Sequence, residues 1–313
     1  MPGVKLEITE YKNFGKCLKL SNGIIEALVT VDVGPRIIRF AFPGGENFLH
    51  EDIGRESVTS GDVIEDVFGK GSKCELYGGH RLWLSPEDMP LTYYPDNDKV
   101  VWHEIPGGVE LIPPAQRVNE VQYRIEVVMS ADKPRLHVGH FIQNIGQSTK
   151  RRAAWALTLL AQGGLEVVPQ PLHDTGLLAN RVLSLWPYSD MSDSRVYWGK
   201  KFISLRQDPG IRSKFKFGIN NLRGWASYFN HGGMLVKKYE CNPGGNYPDY
   251  GTSFETFTNN LIMEMESLGE LVDITPGSTI YHGEEWSLFD HVERPAPDDE
   301  QTMETLTRLY IEK

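Results

Sequence analysis

The sequence has little cysteine, no long apolar run and no excess of positive charge. Its three cysteines, Cys17, Cys74 and Cys241, are an odd number at wide spacing, which fits neither a disulfide framework nor a CxxC metal motif. Buried free thiols in a reducing cytoplasm are the simpler reading, and a cytoplasmic location is expected. No stretch approaches the ~20 apolar residues of a membrane span. The N-terminus, Met1-Pro-Gly-Val-Lys-Leu-Glu-Ile-Thr-Glu10, lacks the basic start and apolar run of a secretory signal. With 32 Lys plus Arg against 42 Asp plus Glu, the net charge of −10 argues against nucleic acid or anionic membrane as a partner recognised by bulk charge.

Several chemical motifs are missing too. Phe68-Gly-Lys-Gly-Ser-Lys73 has glycines and lysines without phosphate-loop spacing, no GxGxxG follows a strand, and no GxSxG elbow occurs. Phosphoryl transfer, nicotinamide chemistry and serine hydrolysis are thereby disfavoured. His137 and His140, three apart on an expected strand, face opposite ways and make a poor metal pair. Neither a cofactor nor a metal is expected from motifs.

Helical periodicity is scarce as well, and period two takes its place. Ile25, Ala27, Val29, Val31 and Val33 alternate with polar residues including Glu26, Thr30 and Asp32, which predicts a half-buried strand. Val121, Tyr123, Ile125, Val127 and Met129 repeat the pattern, and Arg135 to Asn144 follows a hairpin-like connection. Short strands are also expected over residues 100–105, 109–112, 153–161, 202–206, 234–238, 261–266 and 279–289. Pro-Gly punctuation at Pro43, Pro106, Pro243 and Pro276, with no linker or repeat, predicts an all-β chain. The expected architecture is one large antiparallel sandwich domain over 1–313 with little helix. Residues 298–313 form a short helical or strand tail, and Gln170 to Asp193 is a long surface excursion.

The chain is rich in aromatics, with 13 Phe, 13 Tyr and 7 Trp. Some accompany polar groups in clusters. Tyr77-Gly-Gly-His-Arg-Leu-Trp-Leu-Ser-Pro-Glu87 combines an acid/base, a cation, a flat ring and a carboxylate, the kit that binds sugar hydroxyls and faces. On a strand, His80, Leu82 and Leu84 share one face, and Arg81 and Trp83 the other. A buried salt bridge and a core Trp would use the same residues. A second cluster around Tyr247 and Asp249 presents polar groups from a Gly/Pro-shaped loop. In the third, Glu264 and Glu266 share a strand face, with Cα atoms about 6 to 7 Å apart. In a partly dry cleft, such neighbours push one pKa up and leave an acid beside a base. In Tyr281-His-Gly-Glu-Glu-Trp286, alternation sets Glu284 and Trp286 against Glu285.

Gly34-Pro-Arg-Ile-Ile38, Gly79-His-Arg-Leu-Trp83 with Pro86-Glu87, Trp155-Ala-Leu-Thr158 with Gly163-Gly164, Tyr247-Pro-Asp249, and Glu264-Met-Glu266 before Pro276-Gly277 together carry a family likeness. From Gly34 to Trp286 the chain resembles the galactose mutarotase-like (aldose 1-epimerase-like) superfamily, in particular its DUF4380-type branch. The resemblance implies a β-supersandwich with a concave sugar-binding face. It also implies that Glu264 or Glu266 deprotonates an anomeric hydroxyl. The family's acid histidine has no counterpart in Trp155 to Gln162, so His80 is the candidate acid, provided the fold sets it opposite the glutamates. Arg36, Arg81, Trp83, Glu87, Trp225, Tyr247, Asp249, Glu285 and Trp286 are the candidate substrate-binding residues. Three readings remain: a sugar isomerase or epimerase, a non-catalytic carbohydrate binder, and a protein-interaction sandwich in which Trp83, Trp225 and Trp286 share no cleft.

Overall fold

A computed structural model describes residues 3–312. Two large antiparallel sheets face each other. The first has the order Lys5–Glu10, Lys16–Ser21, Glu26–Thr30, Ile37–Ala41, His80–Ser85, Lys150–Leu160, Met263–Leu268, Phe254–Thr258, Phe215–Ile219 and Leu183–Leu185, with Val272–Ile274 beside the start of Lys150–Leu160, eleven strands in all. The second has ten: Val196–Trp198, Phe202–Arg206, Leu165–Pro169, Trp225–Asn230, Gly233–Tyr239, Thr279–Asp290, Arg135–Asn144, Val121–Met129, Gly108–Ile112 and Val101–Ile105. This is the large antiparallel β-sandwich that the alternation predicts.

The inner faces meet in the main core. Ile37, Leu82, Ala154, Met263, Met265, Phe215 and Phe217 come from the first sheet, and Ile125, Val138, Leu235 and Trp286 from the second. Each large apolar side chain buried this way contributes roughly 1.5 to 3 kcal/mol. A smaller core lies on the other side of the second sheet. There Trp225, Phe229, Met234 and Val236 are covered by the C-terminal helix Glu300–Leu306 and the helical turn Thr307–Ile311 through Met303 and Ile311. Asp299 caps that helix by accepting from the Thr302 amide at 3.0 Å.

Val121–Met129 alternates buried and half-buried residues throughout. Glu26–Thr30 departs from the half-buried reading, because all five residues are buried. Lys19 and Arg39 reach across the second face and pair with Glu26 at 2.8 Å each, so a charged residue sits under cover rather than in solvent. The chain also turns out of the strand before Asp32, whose carboxylate accepts from the Lys16 amide at 2.8 Å. Among the described residues, no helix is long and apolar enough to cross a membrane.

Candidate functional site

Strand alternation decides which side chains can meet. In Met263–Leu268, the two methionines enter the main core, while Glu264, Glu266 and Leu268 project from the outer face of the eleven-stranded sheet. Neighbouring strands add to that face in register. Leu157 and Glu255 flank Glu266, Leu159 and Phe257 flank Glu264, Arg81 lies beyond Leu157, and Trp155 lies opposite Leu268 and Trp83. Phe215, Phe217 and Ile219 point inward, so Lys216 emerges on the outer face.

These groups form a dense polar cluster on an aromatic base. Lys216 Nζ donates to Glu266 Oε2 at 2.9 Å and pairs with Glu255 Oε2 at 2.8 Å. It also lies over the rings of Trp155 and Trp186, 4.8 and 4.5 Å from their centroids. Trp155 Nε1 donates to the same Glu266 oxygen at 2.8 Å. The Arg81 guanidinium stacks 3.7 Å above the Trp83 ring, with Nη2 3.9 Å from Glu264 Oε1, too far for a hydrogen bond. Trp83 meets Trp155 and Tyr93 edge-on, and the Tyr93 hydroxyl donates to Glu87 at the rim. Trp186 and Tyr188 reach the face from the excursion after Gln170.

Hydrogen-bonding capacity on this face is incompletely used. Glu266 Oε1, Arg81 Nε and Arg81 Nη1 are buried and without partners. The electrostatics push Glu264 and Glu266 up alike, each to about 7. Burial raises the pKa of Glu264, and the charge of Glu266 raises it further, while Arg81 pulls it back. Burial raises Glu266 as well, opposed by Lys216, and the charge of Glu255 adds to the rise. Glu255 is pushed up to about 7, chiefly by burial, with Lys216 opposing and Asp249 adding to the rise. The lysine itself is held well above its ordinary value by the carboxylates, against the effect of burial.

The remaining sequence candidates scatter. His80 is buried between the sheets, on the face of its strand opposite to Arg81 and Trp83, so it cannot serve as the acid partner of Glu264 and Glu266. Alternation requires this, because the inward positions of that strand are 80, 82 and 84. Trp286 is also between the sheets, edge-on to His80 with centroids 4.8 Å apart. Trp225 lies under the C-terminal helix, and its Nε1 donates to Glu312. Thus Trp83, Trp225 and Trp286 share no cleft. Glu285 is on the far side of the second sheet, paired with Arg135 at 3.1 Å. Arg36 makes a two-pronged pair with Asp96 at 2.6 and 2.9 Å and contributes positive charge beside Arg81. Tyr247 lines a cavity of about 700 Å³ at the sandwich edge and accepts from the Asn242 amide. Asp249 approaches Glu255 at the margin of the cluster.

Lys216, Trp155, Glu255, Tyr93, Trp186 and Tyr188 were not among the sequence candidates. For Lys216 a signal existed: Phe215-Lys-Phe-Gly-Ile219 is a period-two strand with one cation on its second face.

No family model matches the chain, and no curated protein matches it. Solved structures do. An aldose 1-epimerase candidate from Klebsiella pneumoniae subsp. pneumoniae aligns at a TM-score of 0.60 and 10% identity, over 97% of this chain and 86% of that one. A galactose mutarotase-like protein from Clostridium acetobutylicum aligns at 0.51 and 12%, over 92% and 99%. A TPR-domain containing protein from Parabacteroides distasonis aligns at 0.59 and 11%, over 90% of this chain, which spans about half (49%) of that longer one. At such identities the likeness is one of fold, and the chain has the galactose mutarotase-like fold.

Proposed function

We propose that the outer face of the eleven-stranded sheet binds a sugar or sugar derivative, and that Glu266 and Glu264 move protons on it as base and acid of an isomerase or epimerase. The observation that carries this reading is the unused hydrogen-bonding capacity of Glu266 Oε1 and Arg81 Nε and Nη1, buried beside the flat rings of Trp83 and Trp155. Leaving buried polar groups unpaired costs about 1 to 3 kcal/mol each, and a polyhydroxylated ligand supplies both donors and acceptors. Lys216 and Trp155 hold one oxygen of Glu266, which favours its ionised form and leaves the other free to take a proton from an anomeric hydroxyl. Glu264, with its nearest cation beyond hydrogen-bond range and its pKa raised to about 7, is the carboxyl assigned to carry the proton and deliver it to the ring oxygen. A carboxyl pair then performs the exchange without a histidine. The motifs quoted above support reading the chain as a DUF4380-type member of that superfamily.

Non-catalytic sugar binding is the second reading. It is favoured by the absence, among the described residues, of histidine from the hydrogen-bond and ion-pair partners of Glu255, Glu264, Glu266 and Lys216. Anomer exchange measured by NMR across an aldose panel separates the two. Catalysis requires saturable exchange that falls about 10²- to 10⁴-fold in Glu266→Gln, with a comparable loss in Glu264→Gln. Full activity in both variants would refute the assignment. Calorimetric binding without exchange would establish the second reading.

A further inference from the structure

Between the sheets, independently of the outer face, three metal-ligating side chains converge. His80 Nε2 and His140 Nε2 are 2.7 Å apart, and Glu284 Oε2 is 3.9 Å from His80 Nε2. One donor atom from each lies within 4.8 Å of the other two, and all three residues are buried. They come from three strands, His80–Ser85, Arg135–Asn144 and Thr279–Asp290, so no spacing along the chain reveals the cluster.

Each ligand is oriented from behind. His140 Nδ1 donates to the His282 carbonyl at 2.8 Å, which leaves a neutral ring with a bare lone pair at Nε2. His80 Nδ1 bonds the Thr158 hydroxyl at 2.8 Å. The Glu284 carboxylate is divided: Oε1 takes Lys237 Nζ at 2.8 Å and the Ser267 hydroxyl, while Oε2 takes Trp286 Nε1 at 2.8 Å and faces His80. Imidazoles held at one nitrogen by a carbonyl or hydroxyl and aiming the other at a shared point are the outer arrangement of metal ligands.

We propose that His80, His140 and Glu284 bind a first-row divalent cation, with zinc the best match to two imidazoles and one carboxylate. Zinc–nitrogen bonds of ~2.0 to 2.1 Å in a tetrahedral shell set the two Nε2 atoms roughly 3.3 Å apart, so the rings separate by about 0.6 Å while Glu284 closes by a similar amount. Lys237 occupies the carboxylate oxygen that the ion does not use. The charged and titratable groups around the cluster are Lys237, His282 and His137 and, further along, Glu166 and Glu266. The 700 Å³ edge cavity is lined by His282, whose Nε2 is hydrogen-bonded to the Ser267 hydroxyl that donates to Glu284.

The competing account is a closed hydrogen-bond circuit from Lys237 through Thr158, His80 and His140 to the His282 carbonyl, which needs no ion. Untagged protein grown with zinc and freed of loose metal by gel filtration should hold about one zinc per chain by elemental analysis. His140→Gln and Glu284→Gln should lower that content at least tenfold, whereas His137→Gln, on the other side of the same strand, should not. If the first two variants fail to fold, wild-type protein decides: after chelation, cobalt titration should give the visible bands of a tetrahedral site, and zinc should raise Tm. Folded wild-type protein with under a tenth of an equivalent of metal, no cobalt bands and no shift would overturn the proposal. So would equal zinc in folded wild type and His140→Gln.

Discussion

Glu264 and Glu266 share a strand face but not an environment. Glu266 is fully buried, with an ammonium and an indole N–H on one oxygen, while Glu264 keeps 9% exposure and faces a guanidinium beyond hydrogen-bond range. A carboxyl whose pKa is raised on folding binds its proton more tightly in the folded state. Its stabilising contribution is therefore complete below the unfolded value near 4.5 and is lost as pH rises through the folded value. Glu264→Gln removes this titration. The variant should match wild type near pH 4.5 and exceed it at pH 8 by on the order of 1 to 3 kcal/mol, since each pKa unit is worth ~1.4 kcal/mol. Denaturant melts at the two pH values check the sign, and a variant less stable at pH 8 would contradict it. The pairing of the two glutamates on one face was legible from their spacing. The environment that distinguishes them was not, because Lys216 and Trp155 come from strands 50 and 111 residues away.

At the scale of elements, the strand His80–Ser85 is aimed by the glycines before it. Gly78 and Gly79 both have positive φ, at 96° and 65°, and a Cβ on Gly79 would lie 2.2 Å from the Ile37 carbonyl oxygen. That clash is with backbone, which cannot swing aside. Gly79→Ala should cost several kcal/mol or prevent folding, whereas Gly163→Ala, with open space around its Cβ, should cost only about 1 kcal/mol for its left-handed backbone. Thermal melts of the two variants test the contrast, and equal Tm values would refute it. Short apolar-rich strands were readable, Arg135–Asn144 and Phe202–Arg206 to the residue. Facing was readable too, since 80, 82 and 84 had to part from 81 and 83. What alternation leaves open is which face belongs to which side of the sheet. That choice sent His80 to the interior and removed the proposed His–Glu pair.

The whole molecule is held by pairings between distant segments. Trp155 opposes Leu268, Gly139 opposes Gly283, and Lys150–Leu160 lies between His80–Ser85 and Met263–Leu268. Loop closure must precede such contacts, so refolding followed by stopped-flow fluorescence should take milliseconds to seconds or longer. A microsecond phase carrying the full amplitude would contradict this. The sandwich as a class was legible because short alternating strands and Pro-Gly turns leave few other ways to bury apolar faces. The sheet order, and with it the meeting of Arg81, Lys216, Glu255 and Glu266, depends on long-range register that local pattern does not encode.

One consequence follows from the two-sided strands. His80 and Arg81 are consecutive, as are Glu266 and Ser267, yet the members of each pair belong to different chemical compartments. A gene encoding such strands interleaves two programmes, one codon apart: an interior that holds the sheets together and an exterior that carries the cluster of Arg81, Lys216, Glu255 and Glu266. Substitutions at every second codon can re-specify the exterior while leaving the interior text intact. This interleaving gives the architecture a structural basis for changing the chemistry of its outer face without being rebuilt.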